Sequence, residues 1–277
     1  MCLALVAIDA HSRYRCVIVA NRDEFHARPA APATWGQEAP FIGILAGRDI
    51  QAGGTWLGVA ASGRFALLTN VREPDRRMVG APSRGKLVPR ALDAALSPAQ
   101  ALAAVAADAG GYNGFNLLCG DAHRATWMSN RAASSLPIER GIHGLSNALL
   151  NTPWPKLTRT RAAFAKWAAR GETSLQPLLA LLADRTIASD STLPATGVDL
   201  EQERLLSAPF IVSEGYGTRC STVVAIDRDG NAQFNERSFD QRGAATGEVE
   251  FTFTLDAGAR QPSATTTPSS DAEFPPR

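Results

Sequence analysis

The sequence predicts an α+β protein built on antiparallel sheets, and two observations carry that prediction. Apolar runs of strand length come in pairs across short polar turns, and helical patterns come in pairs between them. Hairpins make antiparallel sheets, and paired helices must then cover sheet faces; two stacked sheets between helix layers fit this pattern. In order, residues 2–9 and 15–21 read as strands joined by a turn through His11 and Ser12. Residues 55–61 and 64–71 pair across Ser62-Gly63. Leu87, Val88, Ala91, Leu92 and Ala95 share a helical face. Ser97-Pro98-Ala99-Gln100 is a capping box with proline at the first helical position, opening a helix to Asp108. Residues 113–119 and 125–129 pair across Gly120-Asp121. Leu157, Phe164, Trp167 and Ala168 mark a helix stopping at Gly171. Thr173 to Gln176 reads as a second capping box, opening a leucine-rich helix to about residue 184, and residues 189–203 as a connecting loop. Residues 222–227 and 232–237 pair across Asp229-Gly230, the strongest hairpin signal, and 248–255 forms a last strand. One domain is expected over residues 1–256, followed by a disordered Ser/Thr/Pro-rich tail at 257–277.

The chain has 277 residues, 45% hydrophobic and 20% charged, with a net charge of +1. That balance supports a sizeable core and argues against non-specific nucleic-acid binding, which needs a basic face. No apolar run approaches a membrane span, and the apolar start lacks the basic n-region of a signal peptide. Cys2, Cys16, Cys119 and Cys220 are widely spread, with no C-x-x-C pair, so neither a zinc site nor a disulfide framework is expected. The expectation is a cytoplasmic protein with free thiols and no metal, acting on a small molecule; oligomeric state is not legible.

Cys2 opens the first strand. Once Met1 is removed, the residue carries both a thiol and an α-amine, a nucleophile and a base titrating near about 7.7–8. It is equally a small apolar residue suited to a strand. Asn21-Arg22-Asp23-Glu24 closes the second strand, where four polar residues need partners or a cleft. On a functional reading Asp23 holds the α-ammonium, while Arg22 lowers the thiol pKa or binds a substrate carboxylate or carbonyl. A solvated strand end with an ion pair is the plainer alternative. Asn70 and Asn147 each end an apolar stretch, and an asparagine amide is a natural oxyanion donor as well as a common turn former. Gly53-Gly54-Thr55-Trp56 reads as a tight turn into a strand, and Arg219 stands where the late strand begins.

Met1-Cys2, Asn21-Arg22-Asp23-Glu24, Gly53-Gly54-Thr55-Trp56, Thr69-Asn70, Ser83-Arg84-Gly85, Tyr112-Asn113-Gly114-Phe115-Asn116, Leu145-Ser146-Asn147, Thr152-Pro153-Trp154-Pro155-Lys156 and Tyr216-Gly217-Thr218-Arg219 together resemble the NRDE family, also called the transport-and-Golgi-organisation family. The match runs from Cys2 to about Leu255. That family resembles N-terminal-nucleophile hydrolases of the penicillin V acylase and bile-salt hydrolase type. The resemblance implies a four-layer αββα sandwich of two stacked antiparallel sheets. It further implies Cys2 as nucleophile, Asp23 at the α-amine, Asn147 and Asn70 as oxyanion donors, and Arg219 as the late arginine. Arg22 departs from the acylase pattern, in which the early arginine falls where Ala20 stands here.

The leading expectation is therefore hydrolysis of a non-peptide C–N amide bond in a small N-acylated substrate, through a Cys2 acyl-enzyme. Catalysis would fall to Cys2, Asp23, Asn70 and Asn147, and substrate binding to Arg22, Arg219 and Trp56. The alternative is a carrier on the same fold for haem or an acyl lipid, with Cys2 or His143 as a haem ligand. A conventional Cys–His protease has no preferred histidine among the four, and a membrane-trafficking structural protein lacks any lipidation signal.

Overall fold

The computed structural model describes residues 3–93 and 96–255; Met1, Cys2, Ala95 and the expected tail lie outside the described residues. The first sheet has six strands: β1 (Leu3–Ile8), β2 (Tyr14–Phe25), β10 (Gly141–Leu145), β11 (Tyr216–Asp227), β12 (Asn231–Phe239) and β13 (Ala245–Thr254), in the order β10-β1-β2-β11-β12-β13. Every pairing is antiparallel. The second sheet is a seven-stranded meander in chain order: β3 (Ala30–Trp35), β4 (Ile44–Asp49), β5 (Leu57–Ala60), β6 (Phe65–Asn70), β7 (Phe115–Gly120), β8 (Ala125–Ser129) and β9 (Leu136–Ile138). The whole second sheet is thus inserted between β2 and β10.

Period-two alternation sorts the side chains into three apolar layers. Ala4, Val6, Ile8, Ile18 and Val224 of the first sheet meet Leu45, Leu57, Phe65, Leu67 and Trp127 of the second. The intervening residues Leu3, Leu5, Val17, Val19 and Val223 turn the other way. They pack on Leu157, Phe164 and Trp167 of α3 (Pro155–Arg170) and Leu178 and Leu182 of α4 (Gln176–Leu182). The outer face of the second sheet packs Ala66, Leu68, Phe115 and Leu117 on Val88 of α1 (Leu87–Ala91) and Leu102 and Val105 of α2 (Pro98–Asp108). The result is the four-layer αββα sandwich.

The expected helix boundaries hold where local chemistry decides them. Ser97 and Gln100 form both bonds of the capping box. Gly171 ends α3 in the left-handed conformation, at φ 65°. The second expected capping box does not form: α4 starts at Gln176 with no side-chain cap. The carbonyls of Thr173 and Ser174 instead accept from Tyr14 Oη and Trp167 Nε1, which ties that segment to β2 and α3. The expected loop at 189–203 ends inside a helix, α5 (Leu200–Leu206), because Asp199 caps it by accepting from the Gln202 N–H at 2.8 Å. β3, β4, β9 and β10 are strands beyond the paired apolar runs. β3 and β9 contain Pro32 and Pro137 and occupy the two edges of their sheet, where proline costs no ladder bond.

Candidate active site

Several strand ends meet at one edge of the sandwich. Leu3 pairs with Asn21 of β2. β2 continues through Arg22 and Asp23, which pair with Cys220 and Thr218 of β11 around a bulge at Arg219. β10 ends at Leu145 beside Ala4, and the chain runs on through Ser146 to Asn147. From the second sheet β6 ends at Asn70, and here the two sheets are tied together. Asn147 Nδ2 donates to the Asn70 carbonyl at 3.1 Å, and the Arg72 main-chain N–H donates to the Asn147 carbonyl at 2.8 Å.

The four residues of Asn21-Arg22-Asp23-Glu24 do four different things. Asn21 points to the helix layer, donates to the carbonyls of Leu182 and Pro209 at 2.8 Å each, and accepts from Ser221 Oγ at 2.6 Å. It is a strut, not a cleft residue. Arg22 points between the sheets, buried, with its guanidinium 4.3 Å from the Trp56 ring centre and 3.8 Å from Asp49 Oδ2. Asp23 is buried, and its Oδ1 accepts from Thr218 Oγ1 at 2.7 Å. Thr218 Oγ1 in turn accepts from the Ile211 N–H at 2.9 Å. Glu24 reaches Arg28 at 3.5 Å.

Asn70 and Asn147 line one cavity of about 420 Å³, within the size range of small-molecule sites. Phe25, Tyr216, Val198, Leu205 and Leu206 form its apolar walls, and Arg72, Glu73, Arg77 and Arg84 bring charge. Arg72 Nη1 donates to Glu203 Oε2 at 2.7 Å and Nη2 to Asn147 Oδ1 at 3.5 Å, with the guanidinium 4.9 Å from the Trp154 ring centre. Arg131 clamps Glu73 with contacts down to 2.5 Å. Burial alone would raise the Glu73 carboxyl, but the hydrogen bonds and charge of Arg131 outweigh it and hold the group below its ordinary value.

The expected site residues therefore fall in two places. Asn70 and Asn147 share the large cavity. Arg22, Trp56 and Arg219 line a second cavity of about 190 Å³ with Cys220 and Glu236, and the two cavities have no lining residue in common. Arg219 Nη1 donates to the carbonyls of Phe25 and His26 at 3.4 and 3.1 Å. Asp23 stands beside Thr218 at the strand ends, and Cys2, one residue before Leu3, lies outside the described residues. His143 lies in β10, with one ring nitrogen against the Glu139 carbonyl at 2.9 Å and the other against Asn151 at 3.2 Å. No described histidine or cysteine lines the cavity that Asn70 and Asn147 share. Among the described residues no cluster of His, Cys, Asp or Glu could hold a metal ion.

Two of the sequence motifs are explained by one backbone contact. A Cβ on Gly54 would stand 2.6 Å from the Gly85 carbonyl carbon, and the Thr55 N–H donates to the Gly85 carbonyl at 3.1 Å. Gly53-Gly54-Thr55 and Ser83-Arg84-Gly85 thus lock together and present Trp56 and Arg84 to the two cavities. Arg72, Glu73, Arg77, Glu203, Leu205 and Leu206 are site residues the sequence reading missed. The run Asn70-Val71-Arg72-Glu73 directly after a strand was the available signal for the first two.

The family model described as Transport and Golgi organisation 2 matches residues 1–241. A Transport and Golgi organization protein 2 homolog of Bos taurus is 35% identical over 257 residues, covering 86% of this chain and 93% of that protein. The Homo sapiens homolog is 32% identical over 275 residues, covering 92% and 99%. The Drosophila melanogaster protein is 27% identical over 262 residues, covering 86% and 92%. Among solved structures, the Caenorhabditis elegans N-acylethanolamine-hydrolyzing acid amidase ortholog aligns with a TM-score of 0.48 at 13% identity, over 80% of this chain and 92% of that one.

Proposed function

The chain belongs to the Transport and Golgi organisation 2 family, and from that premise we propose that it hydrolyses a non-peptide C–N amide bond of a small N-acylated compound, with Cys2 as nucleophile. The observation that carries this reading is the meeting of the Asn70 and Asn147 side chains on one cavity at the sheet edge where β1 begins. Consecutive Cα atoms are about 3.8 Å apart, so a nucleophile bonded to Leu3 is tethered to that edge. The reading requires the Cys2 thiol to take the inter-sheet face that Ala4 and Val6 occupy, and Met1 to be absent.

The proposed chemistry balances within the site. The α-amine of Cys2 takes the thiol proton as sulfur bonds to the amide carbon, giving a tetrahedral oxyanion. Asn147 Nδ2 has one N–H on the Asn70 carbonyl, which leaves its second for the oxyanion. The Asn70 side-chain amide makes no hydrogen bond among the described residues and supplies the second donor. Collapse breaks the C–N bond, and the leaving amine takes the proton from the α-ammonium. Water then attacks the thioester, with the amine again as base, and releases the carboxylic acid. Asp23, fixed by Thr218, holds the α-amine.

The apolar walls also suit a carrier that binds an acyl ligand without cleaving it. A panel of N-acyl amino acids and N-acyl amides, with released amine as readout, separates the two. Release that disappears in Cys2→Ala supports the hydrolase. Wild-type protein that binds panel members in the micromolar range yet releases no amine replaces that reading with carriage.

A further inference from the structure

We propose that Thr196 is a positioning residue for the Asn147 amide, because its hold on one oxygen of Glu203 leaves the second terminal nitrogen of Arg72 to Asn147. The proposal rests on the reading that Asn147 donates to the oxyanion, and it deepens that reading by naming what orients the donor.

Glu203 is a buried carboxylate on α5 whose two oxygens do different work. Oε1 accepts twice from Thr196, from the main-chain N–H at 2.9 Å and from Oγ1. Oε2 accepts from Arg72 Nη1 at 2.7 Å. A guanidinium and a carboxylate left to themselves close two parallel bonds. The same helix shows that outcome: Arg204 donates through Nε to Asp190 Oδ1 at 2.7 Å and through Nη2 to Asp190 Oδ2 at 2.5 Å. At Glu203 the oxygen that a second arginine bond would use is already taken by Thr196. Arg72 is therefore held there by one nitrogen, and its Nη2 reaches Asn147 Oδ1 at 3.5 Å instead.

That contact decides which end of the Asn147 amide is the donor. The terminal torsion of an asparagine is broad and close to two-fold, so the amide needs partners to tell its two ends apart. Arg72 Nη2 marks the oxygen, and the Asn70 carbonyl takes one N–H from Nδ2 at 3.1 Å. A guanidinium that swung both nitrogens onto Glu203 would leave the oxygen end unmarked. The Asn147 main chain would stay in place, because its carbonyl is held by the Arg72 N–H at 2.8 Å. Thr196 also stands two residues before Val198, which lines the cavity. Between them, a Cβ on Gly197 would lie 3.1 Å from Pro74 Cγ on the opposite wall. The segment that closes this side of the cavity thus carries the residue that sets the donor.

The test is hydrogen exchange of side-chain amides, followed by NMR on full-length Thr196→Val. Exchange at the Asn147 side-chain amide should speed up about fivefold or more, short of the roughly tenfold of a whole hydrogen bond to a charged group because the Thr196 N–H remains. Asn130, whose amide donates to the carbonyls of Ala109 and Tyr112 at 3.0 Å each, is the control and should keep its wild-type rate. Thr196→Ser keeps the hydroxyl and should restore Asn147. Thr196→Ala removes the same hydroxyl and replaces Thr196→Val should that variant not fold. An unchanged Asn147 rate, a rise shared with Asn130, or no recovery in Thr196→Ser overturns the proposal. Turnover is read separately by amine release from the N-acyl panel. Thr196→Val should lower kcat about threefold or more with KM little changed, and should lower it no further in an Asn147→Ala background. An undiminished loss in that background also overturns the proposal. Wild-type protein that releases no amine sinks the hydrolase reading and leaves the exchange test of Thr196 intact.

Discussion

Arg72 and Asn147 hold each other by main chain and side chain at once: the Arg72 N–H donates to the Asn147 carbonyl at 2.8 Å, and Arg72 Nη2 reaches Asn147 Oδ1 at 3.5 Å. With its oxygen facing a guanidinium, the Asn147 amide is polarised and its Nδ2 turned away, toward Asn70. Asn147→Ala should lower kcat by roughly 10²–10³ with smaller change in KM, if this amide donates to the oxyanion. Arg72→Ala removes the cationic partner of the buried Glu203 carboxylate, leaving only its bonds from Thr196, and should cost about 3–5 kcal/mol in denaturant unfolding. Glu203→Gln keeps the shape and should cost less. Equal losses for the two variants would show that the pair does not anchor α5.

Thiol reactivity separates Cys2 from the other three cysteines. Burial pushes the Cys119 thiol up to about 12, and pushes Cys16 and Cys220 up as well. Their thiolate fraction at neutral pH is therefore negligible. Limited alkylation near pH 7 with peptide mapping should label Cys2 first, and intact mass should show Met1 removed. Early labelling of Cys119 or Cys220 on folded protein would contradict the burial described here.

Glu236 gives a pH signature in the second cavity. Burial raises its carboxyl above the ordinary value despite bonds from the Ala33 N–H and Thr222 Oγ1. A raised carboxyl binds its proton more tightly folded than unfolded. Its contribution is complete below the ordinary carboxylate pKa of about 4.3 and is lost as pH rises through the folded value. Glu236→Gln titrates in neither state. Its Tm relative to wild type should therefore climb as pH is raised from about 4 to 8. A difference that stays flat or falls over that range would mean that Glu236 is held ionised, for instance by Arg22 in the same cavity.

The Gly54–Gly85 contact predicts a purely structural defect. Gly54→Ala places a methyl 2.6 Å from a main-chain carbon, which cannot yield as a side-chain tip would. Destabilisation of about 1–3 kcal/mol is expected from such overpacking. Thermal unfolding of Gly54→Ala checks it, and an unchanged Tm would mean that the two loops are not locked together.

What the sequence made legible follows from where each feature is decided. The antiparallel class, the Ser97 cap, the Gly171 stop and the Asp229-Gly230 turn are decided within a few residues, and these are observed. The capping box at Thr173 does not form, because the Thr173 carbonyl is claimed by Tyr14, 159 positions away in the chain. Asn21, Arg22 and Asp23 read as one polar cluster, yet strand alternation sends Asn21 to the helices and Arg22 between the sheets. The cavity walls were the least legible part. Arg77, Arg84 and Leu205 come from three separate segments, and only the sandwich brings them together.

Asp23 and Thr218 supply the most discriminating test of the proposed mechanism. Their side chains meet at 2.7 Å in a buried setting, and Thr218 is fixed twice to Ile211, through its Oγ1 at 2.9 Å and its main-chain N–H at 2.8 Å. Neither residue lines the large cavity, so a ligand-binding role does not require them. If Asp23 holds the α-amine of Cys2, Thr218→Val removes the hydroxyl that orients the carboxylate while keeping the volume. Kcat should then fall about tenfold or more with KM little changed, and stability should fall by about 1–3 kcal/mol for the buried acceptor left short of a partner. Thr218→Ser restores the hydroxyl and should recover most of both. The pH profile of kcat/KM adds the reading that a structural role cannot imitate. Its acidic limb reports the α-amine, which must be unprotonated to act as base, and loosening the Asp23 carboxylate that stabilises the ammonium should shift that limb to lower pH. A Thr218→Val enzyme that loses stability but keeps both kcat and the position of that limb would show that Asp23 braces the sheet edge without touching the chemistry.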